Sequence, residues 1–362
     1  MSRGGRKTNT KLIAYPQSLL RKFNRIRTKN KTRTDVLGEM LKEKIPVHFG
    51  GMSDPFANKL VSSVSKDLLT ILGEMDYPTV ISTKNTNELR KDDSIDVLKN
   101  IRNLIIQVSI TTLDSELSSK IEPNIPSPFN RIDTLKILEQ EGIYTIVRLQ
   151  PLIPGTIKKI SQELIPILGS VGVKHVVVEF LKLPVEQTIS GSSALFEEIG
   201  FDALKQYKQN QALRTGREWV LPPAYKWEEL QPLIESIHNN GMTYGAADYG
   251  LNHLGDSNCC CGIDMVNGFS NWYKGNIPYL IRRSKSNFIR YEGLDDCFLP
   301  NGSIRMYLNS NCRVDGGFSI ADYLRLKWNR PGTANAPDTF LGVSWQGDID
   351  DAGNNVYITK PI

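Results

Sequence analysis

The chain has 362 residues, 40% hydrophobic and 23% charged, the balance of a globular protein able to bury at least one large core. No apolar run approaches the roughly 18 residues of a membrane helix, and MSRGGRKTNTKL lacks the apolar centre of a secretory signal, so no membrane partner is expected and the cytoplasm is the expected compartment. The net charge of +5 is uneven: residues 1–45 hold thirteen Lys and Arg against Asp35, Glu39 and Glu43, which leaves the remainder mildly acidic.

The basic stretch 1–45 reads as a helical segment. Its charges are either a solvated surface or a means of neutralising phosphates, in which case the partner is nucleic acid, bound with a strong dependence on salt. PVHFGG at 46–51 then reads as a strand ending in glycines. Leu60, Val61, Val64, Leu68, Leu69 and Leu72 fall near helical spacing within 56–75. PTVIST at 78–83 is the next strand, followed by a short helix ending near Ile101 with Asp92 or Asp93 as its cap. NLIIQVSI at 103–110 is nearly continuous in apolar residues, as expected of a parallel strand covered on both faces. Asp114 caps a helix over 115–121, and Ser127 one over 128–141 that stops at Gly142. IYTIVRLQ (143–150), a helix over 156–171 and KHVVVEFL (174–181) continue the alternation.

Repeated βα units of this kind predict an α/β fold, a parallel sheet with outer helices, either a barrel or an open doubly wound sheet. In both, ligand-binding groups sit at the carboxyl ends of the strands. Beyond 185 the pattern loosens into helices at 194–209 and 224–240 and one further strand at 242–248. The tail from about 313 suits a small irregular or β-rich appendage.

The strand ends carry a coherent set of side chains. Gly50 and Gly51 let another molecule approach the backbone. Ser53 and Asp54 stand at a turn stiffened by Pro55, Lys84 follows a buried strand, Ser109 offers a hydroxyl and Arg148 a guanidinium. A mouth with these groups suits a zwitterionic ligand carrying a carboxylate, an amine and ribose hydroxyls.

The succession HFGGMSDPF, VISTKN, VSITTLD with IEPNIPSPFNRIDTLKIL, and VRLQPLIPG resembles the radical S-adenosylmethionine superfamily, in particular its spore photoproduct lyase-like branch. The matching positions are Ser53, Asp54, Pro55, Thr83, Lys84, Ser109, Glu122, Pro123, Arg131, Pro151, Pro154 and Gly155, across roughly 46–185. The resemblance implies a partial (β/α) barrel related to the TIM barrel, with S-adenosylmethionine across the strand ends. Gly50 and Gly51 would meet its amino acid portion, Lys84 and Ser109 the carboxylate and ribose region, and Arg148 would line the same mouth. It also implies a [4Fe–4S] cluster that cleaves the cofactor to a 5′-deoxyadenosyl radical, in a lyase- or transferase-type enzyme whose substrate the basic segment suggests is nucleic acid.

The superfamily holds that cluster on a Cys-x-x-x-Cys-x-x-Cys loop after the first strand, and no cysteine precedes Cys259. Three explanations follow: a cluster loop encoded upstream of Met1, which is favoured; a degenerate, non-catalytic or nucleic-acid-binding protein; or substitution by Cys259, Cys260 and Cys261. The three adjacent cysteines are read as buried thiols, an auxiliary metal site with Cys297 and Cys312, or a reactive thiol. The expected domains are the basic segment 1–45, the partial barrel 46–250 and a Cys-containing extension 251–362.

Overall fold

The computed structural model describes residues 21, 23–25, 41–51, 53–185, 203–248, 250–251, 253–272, 277–284, 286–291, 320–333, 336–340 and 342–360. Most of the basic segment, the start of the helix expected at 194–209, Cys297 and Cys312 lie outside them.

The expected βα alternation is present. Strand β1 (Val47–Phe49) leads through helix α1 (Lys59–Glu74) to β2 (Thr79–Thr83). Helices α2 (Thr86–Leu89) and α3 (Asp92–Leu98) precede β3 (Leu104–Ser109). Then come α4 (Ser115–Ile121), α5 (Pro128–Gln140) and β4 (Tyr144–Leu152). The caps follow the sequence: Asp114 accepts from the amides of Glu116 and Leu117, and Ser127 from that of Asn130. At α3 the expectation needs correction. Lys91 is the cap residue and makes no side-chain cap bond, while Asp92 and Asp93 lie in the first turn, where their charge still favours the helix dipole.

The helix behind β4 is not one uniform element. It runs as α6 (Ile157–Lys159), a π-helical turn (Ile160–Leu164) and α7 (Ile165–Ser170). Pro166 sits in the first turn after the widened segment, where its missing amide hydrogen is not needed. Strand β5 (His175–Phe180) is followed by a small antiparallel sheet of β6 (Leu183–Pro184), β7 (Leu213–Thr215) and β8 (Glu218–Val220), with α8 (Ala203–Gln209) between the first two. Helix α9 (Pro223–Asn239) leads to β9 (Thr243–Ala246).

The main sheet has the order β1-β2-β3-β4-β5-β9, with all neighbours parallel. The order never reverses, so there is no switch point of the doubly wound kind. Residue alternation shows the same thing. Ile81, Ile106, Val108, Val147, Val176 and Val178 face a core shared with Leu69, Leu98, Leu135, Leu138, Leu168, Leu230 and Ile237 of the helices. The other face carries Val80, Ile105, Ile146 and Val177, which pack against Cys259, Cys261, Ile263, Phe269 and Trp272. Helices on one face and irregular chain on the other make a singly wound partial barrel. Segment 259–272 forms its floor, because it contacts the amino-terminal ends of the strands. His175, the first residue of β5, meets the Cys260 carbonyl at 2.9 Å, and Asn271 donates to the Glu43 carbonyl just before β1.

After the floor come α10 (Ile277–Arg283), β10 (Phe288–Ile289), α11 (Ile320–Trp328), β11 (Val343–Ile349) and β12 (Asn355–Thr359). The three strands form an antiparallel sheet around Trp328, which is fully buried and meets Tyr291 and Tyr357 edge-on. Its indole donates to the Asn355 carbonyl at 2.7 Å. Of the two readings of the tail, the β-rich one describes these residues.

Candidate functional site

The turn after β1 is built around Asp54. One carboxylate oxygen accepts from the Phe56 amide and the Thr83 hydroxyl, the other from the amides of Lys84 and Asn85. Four donors saturate the two oxygens, so Asp54 ties the end of β1 to the end of β2. Gly50 has φ +99°, and a side-chain carbon there would stand 1.9 Å from the Ser82 carbonyl oxygen. Its need for glycine thus comes first from the neighbouring strand. Gly51 and Ser53 are exposed at the same turn.

Lys84 reaches across to Glu122, with the ammonium 2.5 Å from one carboxylate oxygen. The other oxygen takes the Arg131 guanidinium at 2.7 Å, and Arg131 also donates to the carbonyls of Ser109 and Pro126. Burial alone would raise the Glu122 carboxyl, but Lys84 and Arg131 together outweigh it and hold it below its ordinary range. Four of the matched positions (Lys84, Ser109, Glu122 and Arg131) are therefore one connected unit at the ends of β2 and β3.

A second unit runs across the concave face. His48 is 2.7 Å from the Ser82 hydroxyl, which donates to Gln107 Oε1 at 2.9 Å. Arg148 donates to the same Gln107 oxygen at 3.4 Å and to Gln150 Oε1 at 2.6 Å. Gln150 donates in turn to Glu179, which also receives Lys182. This polar row crosses five strands one layer above the apolar floor. Crowding by neighbouring groups and the Arg148 cation lower the His48 pKa to about 4, although the residue as a whole remains exposed. The side-chain atoms Gln107 Nε2, Arg148 Nε and Thr111 Oγ1 are buried with no hydrogen-bond partner.

The structure thus brings the sequence-derived set together: Gly50, Gly51, Ser53, Asp54, Lys84 and Ser109 lie at the carboxyl ends of three adjacent strands, and Arg148, midway along the fourth, stands level with Ser109. Sequence reasoning missed His48, Ser82 and Gln107. The signal was available in the period of two, since Gln107 and Ser109 share one strand face and Arg148 and Gln150 the equivalent face of the next. A continuous apolar reading of 103–110 hides it.

Cys259 and Cys261 are buried in the floor, and Cys260 is half-buried with its sulfur 3.7 Å from that of Cys261. The Cys261 hydrogen bond and the nearby Arg282 and Arg148 cations favour the Cys260 thiolate, and the Cys261 thiol is raised correspondingly. Among the described residues no three His, Cys, Asp or Glu side chains are gathered as a metal would require. The described donors therefore do not fit a [4Fe–4S] cluster. The strand ends do fit S-adenosylmethionine in chemical terms, because the Lys84 ammonium, the Ser109 hydroxyl and the Arg148 guanidinium suit a carboxylate and ribose hydroxyls. No helix among the described residues is long and apolar enough to cross a membrane.

Fold and strand-end chemistry together define an α/β partial barrel with a polar mouth. Its relationship is to the radical S-adenosylmethionine superfamily, as the sequence implied: the chain is 27% identical over 156 residues to a radical SAM Nalpha-GlyT isomerase of Pseudomonas phage M6. The match covers 42% of this chain and 32% of the relative, so the chain spans about a third of the length of that curated relative. No family model matches. Among solved structures, a mutant of spore photoproduct lyase is similar with a TM-score of 0.42 and 15% identity, over 54% of this chain and 59% of that one. Streptococcus suis SuiB bound to S-adenosylmethionine gives 0.31 and 17%, over 44% of this chain and 36% of that one.

Proposed function

We propose that this chain is the S-adenosylmethionine-binding partial barrel of a radical enzyme, acting on a nucleic acid or a component of one. The observation that carries the reading is the mouth itself. Residues at or beside the ends of four neighbouring strands meet there, with Lys84 held by Glu122 and Arg148 paired in register with Ser109. Lys84 and Ser109 border the cofactor, Gly50, Gly51, Ser53 and Asp54 form its rim on the β1 side, and Arg148 lines the interior. Asp54 and Glu122 act by position, fixing the β1–β2 turn and Lys84. In the superfamily the radical is generated by a [4Fe–4S] cluster, and its ligands are sought outside the described residues.

The poor fit of the described cysteines to a cluster favours a second reading, a non-catalytic protein that keeps the mouth and uses the basic stretch 1–45 to bind nucleic acid. We assign the chain to the cytoplasm, where the thiols at 259–261 remain reduced. Isothermal titration of S-adenosylmethionine into the full chain tests the main reading: binding is expected, weakened at least ten-fold in Lys84→Ala. No binding at millimolar cofactor would overturn it. Anaerobic iron and sulfide reconstitution, read by visible absorbance, then separates the radical enzyme from the non-catalytic protein.

A further inference from the structure

The polar row contains a cation that no carboxylate pairs among the described residues, although its charge favours the Cys260 thiolate in the floor. Arg148 is half-buried, and its partners are the side-chain oxygens of two neutral amides, Gln107 and Gln150. Among the described residues no carboxylate is in ion-pair reach of it. The carboxylate next along the row, Glu179, is separated from it by Gln150 and is taken by Lys182. A guanidinium withdrawn from water is ordinarily paired with an anion, because desolvation of an isolated charge is costly.

Two donors beside that cation are idle. Arg148 Nε and Gln107 Nε2 are both buried and unpartnered, and Gln107 is fully buried. The orientation of the Gln107 amide is not free to reverse. Its oxygen already accepts from the Ser82 hydroxyl and from Arg148, and a guanidinium can only donate, so the remaining amide atom is the nitrogen, a donor. Buried donors without acceptors are uncommon in native proteins and ask for an occupant.

We propose that Arg148 and Gln107 form a seat for a carboxylate carried by the substrate. The planar guanidinium edge matches a carboxylate in geometry as well as charge, and the Gln107 amide supplies a neighbouring donor. The depth of the site points to substrate and not to cofactor. Gln107 lies one layer below Ser109 on the same strand face, above the floor that packs on Ile105, and Arg148, level with Ser109 in register, reaches down to it. A ligand held there sits inside the partial barrel, beneath a cofactor laid across the strand ends. This assignment rests on the proposed cofactor site for its identification of the ligand as substrate. The seat itself does not depend on it.

The test uses the full chain and carbon-13-labelled acetate as the probe, with sodium chloride at equal ionic strength as the control. Ligand-observed saturation transfer is expected to show saturable acetate binding. Arg148→Gln should weaken it at least ten-fold, and Gln107→Leu several-fold. In Gln107→Glu the protein supplies its own carboxylate beside Arg148, so acetate binding should be lost while the thermal midpoint holds or rises, which separates occupation of the seat from misfolding. Saturating S-adenosylmethionine should leave the acetate bound. Displacement of acetate by S-adenosylmethionine would overturn the assignment to substrate, placing the cofactor's own carboxylate there. Absence of acetate binding, or binding indifferent to Arg148→Gln, would overturn the seat even where the cofactor binds. Acetate binding in a chain that does not bind the cofactor would uphold the seat and remove the proposed function.

Discussion

Lys84 and Arg131 share a single carboxylate: Glu122 presents one oxygen to each, at 2.5 and 2.7 Å, with Glu122 and Arg131 both withdrawn from solvent. The two cations arrive from different places, one from the end of a strand and one from the first turns of α5. Glu122 therefore positions the lysine assigned to the cofactor and neutralises a buried guanidinium at once. Glu122→Gln should destabilise the chain by about 3–5 kcal/mol, the range for removing one partner of a buried ion pair. Chemical denaturation monitored by circular dichroism would measure it. A loss below about 1 kcal/mol would mean that the pair behaves as a surface bridge.

The pH dependence of that unit has a definite sign. The folded Glu122 carboxyl lies below its ordinary value, so its stabilisation is present above the unfolded carboxyl range and is lost as pH falls through the folded value. Thermal midpoints between neutral and strongly acid pH should show the fall, and in Glu122→Gln the slope in the acid region should be smaller. An identical slope in the variant would place the acid sensitivity elsewhere.

His48 acts at higher pH. Its folded pKa of about 4 is below the unfolded value of about 6.5, so the unfolded chain takes up a proton that the folded one refuses. Stability should decline as pH falls across that window and level off below it. The exposure of His48 keeps the decline shallow. Nuclear magnetic resonance titration of the His48 ring is the direct measurement, and a midpoint near 6.5 would refute both its desolvation and the influence of Arg148.

Two glycines with positive φ should respond differently to alanine. Gly50→Ala drives a carbon into the Ser82 carbonyl, whereas Gly142→Ala meets no atom within 4 Å and incurs only the backbone penalty at φ +73°. The Gly142 change should cost about 1 kcal/mol. The Gly50 change should cost several times more and weaken cofactor binding, since β1 must shift. Equal thermal midpoints for the two variants would contradict the close packing of β1 on β2.

Of the three adjacent thiols, Cys260 should be alkylated first by iodoacetamide in the native chain, because Cys259 and Cys261 are only 1% and 5% exposed. Peptide mass spectrometry after brief labelling reads the order. Uniform labelling of all three would mean that the floor opens on the labelling timescale.

Strand positions and most caps were legible in the sequence because they depend on local chemistry. An Asp or Ser before a helix binds the amides that follow it wherever the chain lies, as Asp114 and Ser127 do. The strand-end residues were legible for a topological reason, since any parallel sheet brings its carboxyl ends to one side. The polar row was not. Gln107 looks like an interruption in an apolar strand until Ser82 and Arg148 flank it. Nor was the Glu122 bridge, which depends on two side chains 38 and 9 residues away in sequence. The role of Cys259–Cys261 was illegible for the same reason, because the face they cover is assembled from β2 to β5.

That cover has a consequence for biosynthesis. Val80, Ile105, Ile146 and Val177 are made long before Cys259, Ile263, Phe269 and Trp272, which shield them. During translation the sheet and its outer helices can assemble while their inner apolar surface is still wet, and that surface stays sticky until about 90 more residues have left the ribosome beyond Val177. The nascent chain should accordingly depend on holding chaperones late in its synthesis, and chains stopped before the floor should aggregate more readily than chains stopped just after it.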